Sequence, residues 1–490
     1  MIPLIIGLLV WMFLGGQIAQ SRELLPGDST GIRLRIVHRS SEESPHWKPE
    51  YRDRIQLLDE LMAMDRGRIA AFGRVLQEAA QKNSTNSTLP RESTAMIQDF
   101  QGEDPALFSR LVSGSSIGSG QYFVELRVGT PAKKFPLIID TGSDLTWIQC
   151  NPPNTTANSS SPPAPWYDKS SSSSYREIPC TDDECLFLPA PIGSSCSIKS
   201  PSPCDYTYGY SDQSRTTGIL AYETISMKSR KRSGKRAGNH KTRTIRIKNV
   251  ALGCSRESVG ASFLGASGVL GLGQGPISLA TQTRHTALGG IFSYCLVDYL
   301  RGSNASSFLV MGRTRWRKLA HTPIVRNPAA QSFYYVNVTG VAVDGKPVDG
   351  IASSDWGIDG DGNKGTIFDS GTTLSYLREP AYSKVLGALN ASIYLPRAQE
   401  IPEGFELCYN VTRMEKGMPK LGVEFQGGAV MELPWNNYMV LVAENVQCVA
   451  LQKVTTTNGS NILGNLLQQD HHIEYDLAKA RIGFKWSPCH

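Results

Sequence analysis

The feature that most constrains the fold of this chain is an internal repeat. The sequence FPLIIDTGSDLT at 135–146 returns as GTIFDSGTTLS at 365–375, and each copy runs from apolar residues into an Asp followed by Thr/Ser, Gly and Ser/Thr. A second pair of similar sequences lies downstream of the two copies, VLGL at 269–272 and ILGN at 462–465. Two matched copies of this pattern predict two homologous lobes. Each lobe presents one carboxylate, Asp140 in the first and Asp369 in the second.

A pair of such carboxylates predicts a specific chemistry. Two carboxyl groups held close together in a partly buried cleft share one proton, because ionising both is costly. The ionised group can take a proton from a bridging water while the protonated group hydrogen-bonds a carbonyl oxygen, which suits amide hydrolysis. The alternative is two unrelated Asx-turns, but the matched flanks of the two copies favour a catalytic pair. No metal and no organic cofactor is implied.

Composition supports a large β-rich protein. The chain has 490 residues, whereas single cores stop growing at about 250–300 residues. With 40% hydrophobic and 19% charged residues it is globular. From residue 121 onward, short runs rich in Val, Ile, Tyr and Thr alternate with Gly or Pro breaks, which is typical of strands. The clearest helical pattern in this part is at 380–389.

The first 115 residues read differently. Residues 2–16 are apolar and uncharged, and the small residues Ala19 and Ser21 follow, so residues 1–21 are predicted to be a signal peptide. A short membrane anchor is the alternative. Residues 22–115 contain no Cys and hold an amphipathic helical pattern at 51–80, and two sequences typical of exposed linkers follow, NSTNST at 83–88 and SGSSIGSG at 113–120. They are predicted to be a propeptide, with an independent helical domain as the alternative. The catalytic lobes then span 116–300 and 301–490.

Cysteines and glycosylation sequons indicate the secretory pathway. The ten Cys are an even number, which fits an oxidising compartment. The chain also carries nine N-x-S/T sequons, at Asn83, Asn86, Asn154, Asn158, Asn304, Asn337, Asn390, Asn410 and Asn458. We therefore expect an extracellular or vacuolar glycoprotein without stable membrane insertion after signal removal. A plastid location is the alternative.

The positive net charge of +6 does not indicate a nucleic-acid partner. Ten of the 50 Lys and Arg lie at 228–248, and the remaining 40 are fewer than the 44 acidic residues. Strand-like sequences flank this basic segment, so it is predicted to be an exposed hairpin loop.

Two motifs that imitate metal sites are set aside. The DGDGN sequence at 359–363 resembles a calcium loop, but Lys364 and Ser370 stand where that loop needs Gly and Glu. The isolated pair His471 and His472 is expected to face solvent.

From residue 121 to 489 the sequence resembles the pepsin-like aspartic proteases of the plant, nepenthesin-type branch. QYFV at 121–124 and VGTP at 128–131 match the opening strand of that family. The two Asp loops match its catalytic loops, CDYTYGYSDQS at 204–214 matches its flap, and IVHRS at 36–40 matches a motif of its propeptides. The resemblance implies a mostly β, bilobal fold preceded by a helical propeptide. It also implies a monomeric endopeptidase that acts on proteins or peptides at acid pH and is made as a zymogen.

The resemblance also implies roles for individual residues. Asp140 and Asp369 form the dyad, and Thr141 and Ser370 brace the two loops against each other. Gly142 and Gly371 present backbone to substrate, while Ser143 and Thr372 hydrogen-bond the outer carboxylate oxygens. Tyr210 is the flap tyrosine that bonds toward Trp147, although Tyr206 and Tyr208 alternate with it and are the other choices. Cys408 is paired with Cys448, and the other eight cysteines are left unassigned.

A second class of function stays open on the same fold. The family includes binding or inhibitor-like members with weak or lost catalysis. Such members usually lose an Asp or its neighbours, whereas both loops are intact in this sequence. The endopeptidase is therefore the leading prediction.

Overall fold

The computed structural model describes most of the catalytic part of the chain. The described residues are 32–38, 65, 122–150, 164–188, 194–195, 202–210, 214–232, 240–260, 263, 266–286, 288–297, 307–314, 316, 318–401, 403–411, 418–443 and 445–489. The predicted signal peptide, the helical pattern at 51–80 apart from Asp65, and the two linkers lie outside them.

Strands dominate the described residues. Those of the first part of the chain are β1 (Ile32–His38), β2 (Tyr122–Val128), β3 (Lys133–Asp140), β4 (Trp147–Gln149), β5 (Arg176–Glu177), β6 (Ser194–Ser195), β7 (Asp205–Gly209), β8 (Arg215–Arg232), β9 (His240–Val259), β10 (Gly268–Gly271), β11 (Ile291–Cys295) and β12 (Ser307–Met311). Those of the second part are β13 (Ala320–Pro323), β14 (Tyr334–Val336), β15 (Val338–Val343), β16 (Lys346–Pro347), β17 (Thr366–Phe368), β18 (Ser375–Leu377), β19 (Cys408–Asn410), β20 (Leu421–Phe425), β21 (Ala429–Leu433), β22 (Met439–Ala443), β23 (Val446–Val449), β24 (Leu451–Lys453), β25 (Asn461–Leu463), β26 (His471–Asp476) and β27 (Arg481–Trp486).

Helices are few and short in the described residues. The α-helices are α1 (Leu279–Gln282), α2 (Ala381–Ser392) and α3 (Asn465–Gln468). Single 3-10 turns lie at Lys169–Ser171, Asp183–Leu186, Ser353–Asp355 and Trp435–Asn437. The helix predicted at 380–389 is thus confirmed as α2, and its buried face is formed by Ala381, Tyr382, Val385 and Leu389.

One large sheet joins the two lobes. Its strand order is β13-β27-β26-β11-β12-β1-β2-β3-β10-β4-β9-β8-β7-β6, and β5 pairs with β8. Strands from the end of the chain therefore lie beside strands from its beginning. The remaining strands form sheets of five, four and three strands in the second lobe. This architecture confirms the mostly β, two-lobed fold.

The strand β1 is part of this sheet although it belongs to the predicted propeptide. It pairs antiparallel with β12 on one side and with β2 on the other. Ile36 is opposite Ser307 in one strand and Val124 in the other, and its side chain is buried. The segment is thus integrated into the core of the protein.

The internal repeat forms the same local structure in both lobes. In the first lobe β10 runs parallel to β3, with Gly271 opposite Asp140. In the second, β25 runs parallel to β17, which ends directly before Asp369. A Cβ on Gly271 would lie 2.3 Å from the carbonyl oxygen of Asp144, and one on Gly464 would lie 2.1 Å from that of Leu374. Glycine is required at both positions because each catalytic loop passes directly over it.

Four disulfides are described. They join Cys150 to Cys254, Cys185 to Cys204, Cys295 to Cys489, and Cys408 to Cys448. The last is the pair that the family resemblance implied, and it links β19 to β23 within the second lobe.

The basic segment forms the distal part of a long hairpin. Strands β8 and β9 pair from Arg215 opposite Val259 as far as Arg232 opposite His240. The hairpin prediction is confirmed, but the loop at its end is shorter than the predicted 228–248, because strand pairing continues through the basic residues.

The expectation that His471 and His472 face solvent is wrong. Both side chains are buried, because β26 lies between β11 and β27 and is covered on both faces. His471 contacts the carbonyl oxygens of Gln469 and Glu432 through its two ring nitrogens. His472 packs against Trp316, with ring centroids 4.4 Å apart.

Four of the nine sequons lie in described residues, and none of those four is buried. Asn390 and Asn410 are exposed, while Asn337 and Asn458 are partly exposed. The other five, at Asn83, Asn86, Asn154, Asn158 and Asn304, lie outside the described residues.

Candidate active site

Two buried aspartates occupy equivalent positions in the two lobes. Asp140 is the last residue of β3 and Asp369 directly follows β17, and both are almost fully buried. The N–H of Gly142 donates to Asp140 Oδ1 over 2.9 Å, and that of Gly371 donates to Asp369 Oδ1 over the same distance. Each carboxyl group is therefore oriented by the turn that follows it.

The two loops contact each other through their second residues. The Ser370 N–H donates to Thr141 Oγ1 over 2.9 Å, and the Thr141 hydroxyl donates to Ser370 Oγ over 3.1 Å. The Thr141 N–H lies 3.4 Å from Ser370 Oγ. Both side chains are buried, so this bridge between the lobes is shielded from water.

The fourth residue of each loop, Ser143 or Thr372, carries a hydroxyl that behaves differently in the two lobes. Thr372 Oγ1 donates to Asp369 Oδ2 over 2.6 Å, as the resemblance implied. Ser143 does not form the corresponding bond: its Oγ is buried and has no hydrogen-bond partner among the described residues.

The flap tyrosines have three distinct partners. Trp147 Nε1 donates to Tyr210 Oη over 2.6 Å. Tyr208 Oη instead accepts two backbone N–H groups of the first catalytic loop, and Tyr206 Oη lies 3.2 Å from the Thr216 hydroxyl. Of these three tyrosines, Tyr210 is thus the one that accepts the hydrogen bond from Trp147. The hairpin that carries it begins with β7 and returns as β8.

Phe263 is a part of this cluster that sequence reasoning missed. Its ring packs edge-on against Trp147 at 4.8 Å and against Tyr210 at 5.3 Å between centroids. A lone Phe in a Gly- and Ser-rich stretch carries no sequence signal for such a role.

Asp144 is a second residue that sequence reasoning missed. Its carboxyl group accepts the Gly275 N–H over 2.8 Å and the Ser332 hydroxyl over 2.5 Å. Burial raises the pKa of Asp144 above its ordinary value, although these two hydrogen bonds act in the opposite direction. Since Asp144 follows the first catalytic Asp and Ser332 precedes β14, this contact is another link from the first loop to the second half of the chain.

The described residues include no cluster of three or more His, Cys, Asp or Glu side chains that could hold a metal ion. The loop at 359–363 is closed by Asp359, whose N–H donates to the carbonyl oxygen of Asn363 over 2.9 Å and whose Oδ1 accepts the Asn363 N–H over 2.8 Å.

Comparisons with known proteins agree with this geometry. A family model described as "Xylanase inhibitor N-terminal" matches residues 122–313, and one described as "Xylanase inhibitor C-terminal" matches residues 333–486. The chain is 37% identical to Aspartyl protease family protein 2 of Arabidopsis thaliana, over 85% of this chain and 81% of that protein. It is 32% identical to aspartic proteinase nepenthesin-2 of Nepenthes gracilis, over 81% of this chain and 83% of that protein.

Solved structures share the fold. The crystal structure of edgp matches with a TM-score of 0.58 at 20% identity, covering 78% of this chain and 95% of that one. Conglutin gamma from lupine seeds matches with a TM-score of 0.57 at 19% identity, covering 77% of this chain and 94% of that one. Fold and site thus define a two-lobed β protein of the pepsin type.

With relatives of this similarity over most of its length, the chain belongs to the pepsin-like aspartic protease family. A finer resemblance, of 131–135 and 292–298 to the aspartic proteinase called NANA, stays a prediction.

Proposed function

We propose that this chain is an aspartic endopeptidase that hydrolyses peptide bonds at acid pH and is made as a zymogen. One observation carries the proposal: two buried aspartates of equivalent lobes, each oriented by a Gly N–H, on loops bridged by Thr141 and Ser370. A pair held in this way supports the sharing of one proton.

The proposed reaction uses a water molecule placed between the aspartates. The ionised carboxylate takes a proton from this water, whose oxygen attacks the peptide carbonyl carbon. The protonated carboxyl group donates to the carbonyl oxygen, and a proton then passes to the leaving amine as the C–N bond breaks. In this proposal Gly142 and Gly371 offer backbone to the substrate, Thr372 orients the outer oxygen of Asp369, and Tyr210 closes over the bound peptide. Ser143 keeps its proposed support role only if its hydroxyl rotates toward Asp140.

An inhibitor-like protein on the same fold is the second candidate, since the matching family models carry the description of xylanase inhibitors. The intact loops favour catalysis. An inhibitor needs neither a bridged pair of loops nor an oriented second carboxyl group, and this chain retains both.

The proposal extends to processing and location. Residues 1–21 would be the signal peptide, 22–115 the propeptide, and 116–300 and 301–490 the two lobes of a monomeric mature enzyme. The sequons and disulfides favour an extracellular or vacuolar protein, with a plastid as the alternative. Among the described helices, none has the length and apolar character needed to cross a membrane.

Digestion of casein or haemoglobin at acid pH tests the activity. Purified zymogen is incubated at acid pH, beside the Asp140→Asn and Asp369→Asn variants. We expect each variant to fold, to be secreted and to lose at least about a hundredfold in rate, because a general acid–base group contributes about 10²–10⁴-fold. Wild-type protein without activity, or a variant with near wild-type activity, would contradict the mechanism and leave the inhibitor function.

A further inference from the structure

The second catalytic loop binds a carboxylate from the predicted propeptide. The N–H of Thr373 donates to Asp65 Oδ1 over 3.1 Å, and the N–H of Leu374 donates to Asp65 Oδ2 over 2.8 Å. Asp65 is only 3% exposed, and Thr373 and Leu374 are themselves buried. An acidic side chain thus contacts the same loop that carries Asp369.

The first lobe has an equivalent pair of N–H groups with a different acceptor. At the same offset from Asp140, the N–H groups of Asp144 and Leu145 donate to Tyr208 Oη over 3.0 and 3.2 Å. The paired N–H groups are therefore satisfied by a residue of the flap strand in one lobe and by a propeptide residue in the other. The first acceptor stays with the mature protein, whereas the second would leave with the propeptide.

We propose that the N–H pair of Thr373 and Leu374 is a carboxylate-binding site, and that Asp65 occupies it in the zymogen to hold the propeptide on the active-site loop. The inference rests on the proposed zymogen. Hydrogen bonds from backbone N–H groups to a carboxylate are charge-assisted and about twice as strong as neutral ones. Two buried donors also lose an acceptor when Asp65 departs, which is costly unless another acceptor arrives. The ligand class of the vacated site is a carboxylate borne by a peptide.

This anchor differs from general charge attraction. Basic propeptide residues would be drawn to an acidic cleft by net charge alone, whereas Asp65 carries the opposite sign and is held by geometry. Substituting Asp65 by Asn tests the geometry, because the side-chain amide keeps one acceptor oxygen and presents NH₂ to the other backbone donor. Asp59→Asn makes the same chemical change in the same segment and serves as the matched control.

The first experiment is hydrogen exchange on the full-length chain in an Asp140→Asn background, which prevents self-processing. We expect exchange in a peptide spanning 370–378 to accelerate about tenfold or more when Asp65→Asn is added, since both backbone donors lose their charged acceptor. Exchange in β11 reports global stability and should stay unchanged. Unchanged exchange at 370–378 would overturn the proposal. This readout needs no proteolysis, so it decides the Asp65 contact even if the proposed activity fails.

The second experiment measures inhibition in trans. A synthetic peptide carrying residues 55–75 is added to acid-activated enzyme, and its inhibition constant is compared with those of the Asp65→Asn and Asp59→Asn peptides. We expect the Asp65→Asn peptide to bind about tenfold or more weakly and the Asp59→Asn peptide to match the parent. Equal weakening by both substitutions would show that net charge, not the amide pair, holds the propeptide, and would overturn the proposal. So would a parent peptide that does not inhibit.

Discussion

The hydroxyl of Thr141 accepts the main-chain N–H of Ser370, so one lobe holds the backbone of the other directly beside both catalytic carboxyl groups. The loops that carry Asp140 and Asp369 are thereby joined by buried hydrogen bonds in addition to sheet packing. A second buried hydrogen bond joins the two halves of the chain, because the Tyr334 hydroxyl donates to the carbonyl oxygen of Leu272 over 2.6 Å.

Thr141→Val should remove this bridge with little change in side-chain volume. The Ser370 N–H then loses a buried acceptor, so we expect a loss of about 1–3 kcal/mol in the free energy of unfolding. We also expect kcat to fall by up to about 10²-fold, because small misplacements of reacting groups have effects of this size. Thr141→Ser keeps the hydroxyl and is the control. Chemical denaturation and steady-state kinetics measure both effects, and equal behaviour of the two variants would contradict the role of the hydroxyl.

Tyr210→Phe should affect catalysis more than stability. The substitution deletes the acceptor of Trp147 Nε1 but leaves the ring packed against Phe263. We expect kcat/KM to drop by about tenfold, which corresponds to about 1.4 kcal/mol of transition-state stabilisation. Tyr206→Phe removes a buried hydroxyl whose partner is Thr216 and keeps the bond between Trp147 and Tyr210, so it should leave kcat/KM nearly unchanged. Peptide-cleavage kinetics on both variants measure the effect. A larger loss of kcat/KM in Tyr206→Phe than in Tyr210→Phe would contradict the role proposed for Tyr210.

Asp144 should make the folded protein less stable as pH rises. Burial raises the pKa of Asp144 in the folded state above its value in the unfolded state. The contribution of the protonated carboxyl group to the free energy of unfolding is therefore complete below the unfolded-state pKa, and it is lost as pH rises through the folded-state pKa. Each pKa unit corresponds to about 1.4 kcal/mol. Asn at this position does not titrate, so the stability of Asp144→Asn relative to wild type should increase from acid to neutral pH. Denaturation curves across that range measure the difference, and a constant or falling difference would be inconsistent with a raised pKa.

Replacing Cys408 and Cys448 together by Ser should destabilise the second lobe. Their sequence separation is 40 residues, for which loop-closure entropy gives about 4 kcal/mol. We expect lower thermal stability with catalysis retained at temperatures where the variant is folded. Thermal unfolding with an activity assay at low temperature tests this. Peptide mapping without reductant that detected either wild-type thiol free would contradict the pairing itself.

The matched local structure of the two Asp loops was predictable because its signal is local and repeated. A strand, an acid and a small-residue turn occur consecutively, and the second copy repeats that order, so the sequence predicts Asp140 and Asp369 as a pair. The assignment of Tyr210 as the partner of Trp147 depended on the family resemblance. Tyr206, Tyr208 and Tyr210 share one alternating pattern, so strand periodicity does not distinguish them.

Contacts that depend on distant segments were not predictable. Asp144 and Ser332 each look like an ordinary polar residue, and only the fold brings them within hydrogen-bonding distance. The predicted solvent exposure of His471 and His472 was wrong for the same reason. Their strand lies inside a sheet built from both ends of the chain, so the polarity of the side chains did not indicate that they are buried. The rotation of the Ser143 hydroxyl is likewise a property of packing and not of the D-T-G-S sequence.

The position of β1 has a consequence for the mature protein that the proposed activation would produce. Because this strand lies between β12 and β2, cutting the chain downstream of it does not by itself release it. If it does leave, backbone donors and acceptors on two neighbouring strands lose their partners at once. Refolding of a mature chain without β1 would have to form this sheet without those pairings, so we expect its unfolding to be poorly reversible. Its persistence would be governed by how slowly it unfolds and no longer by an equilibrium.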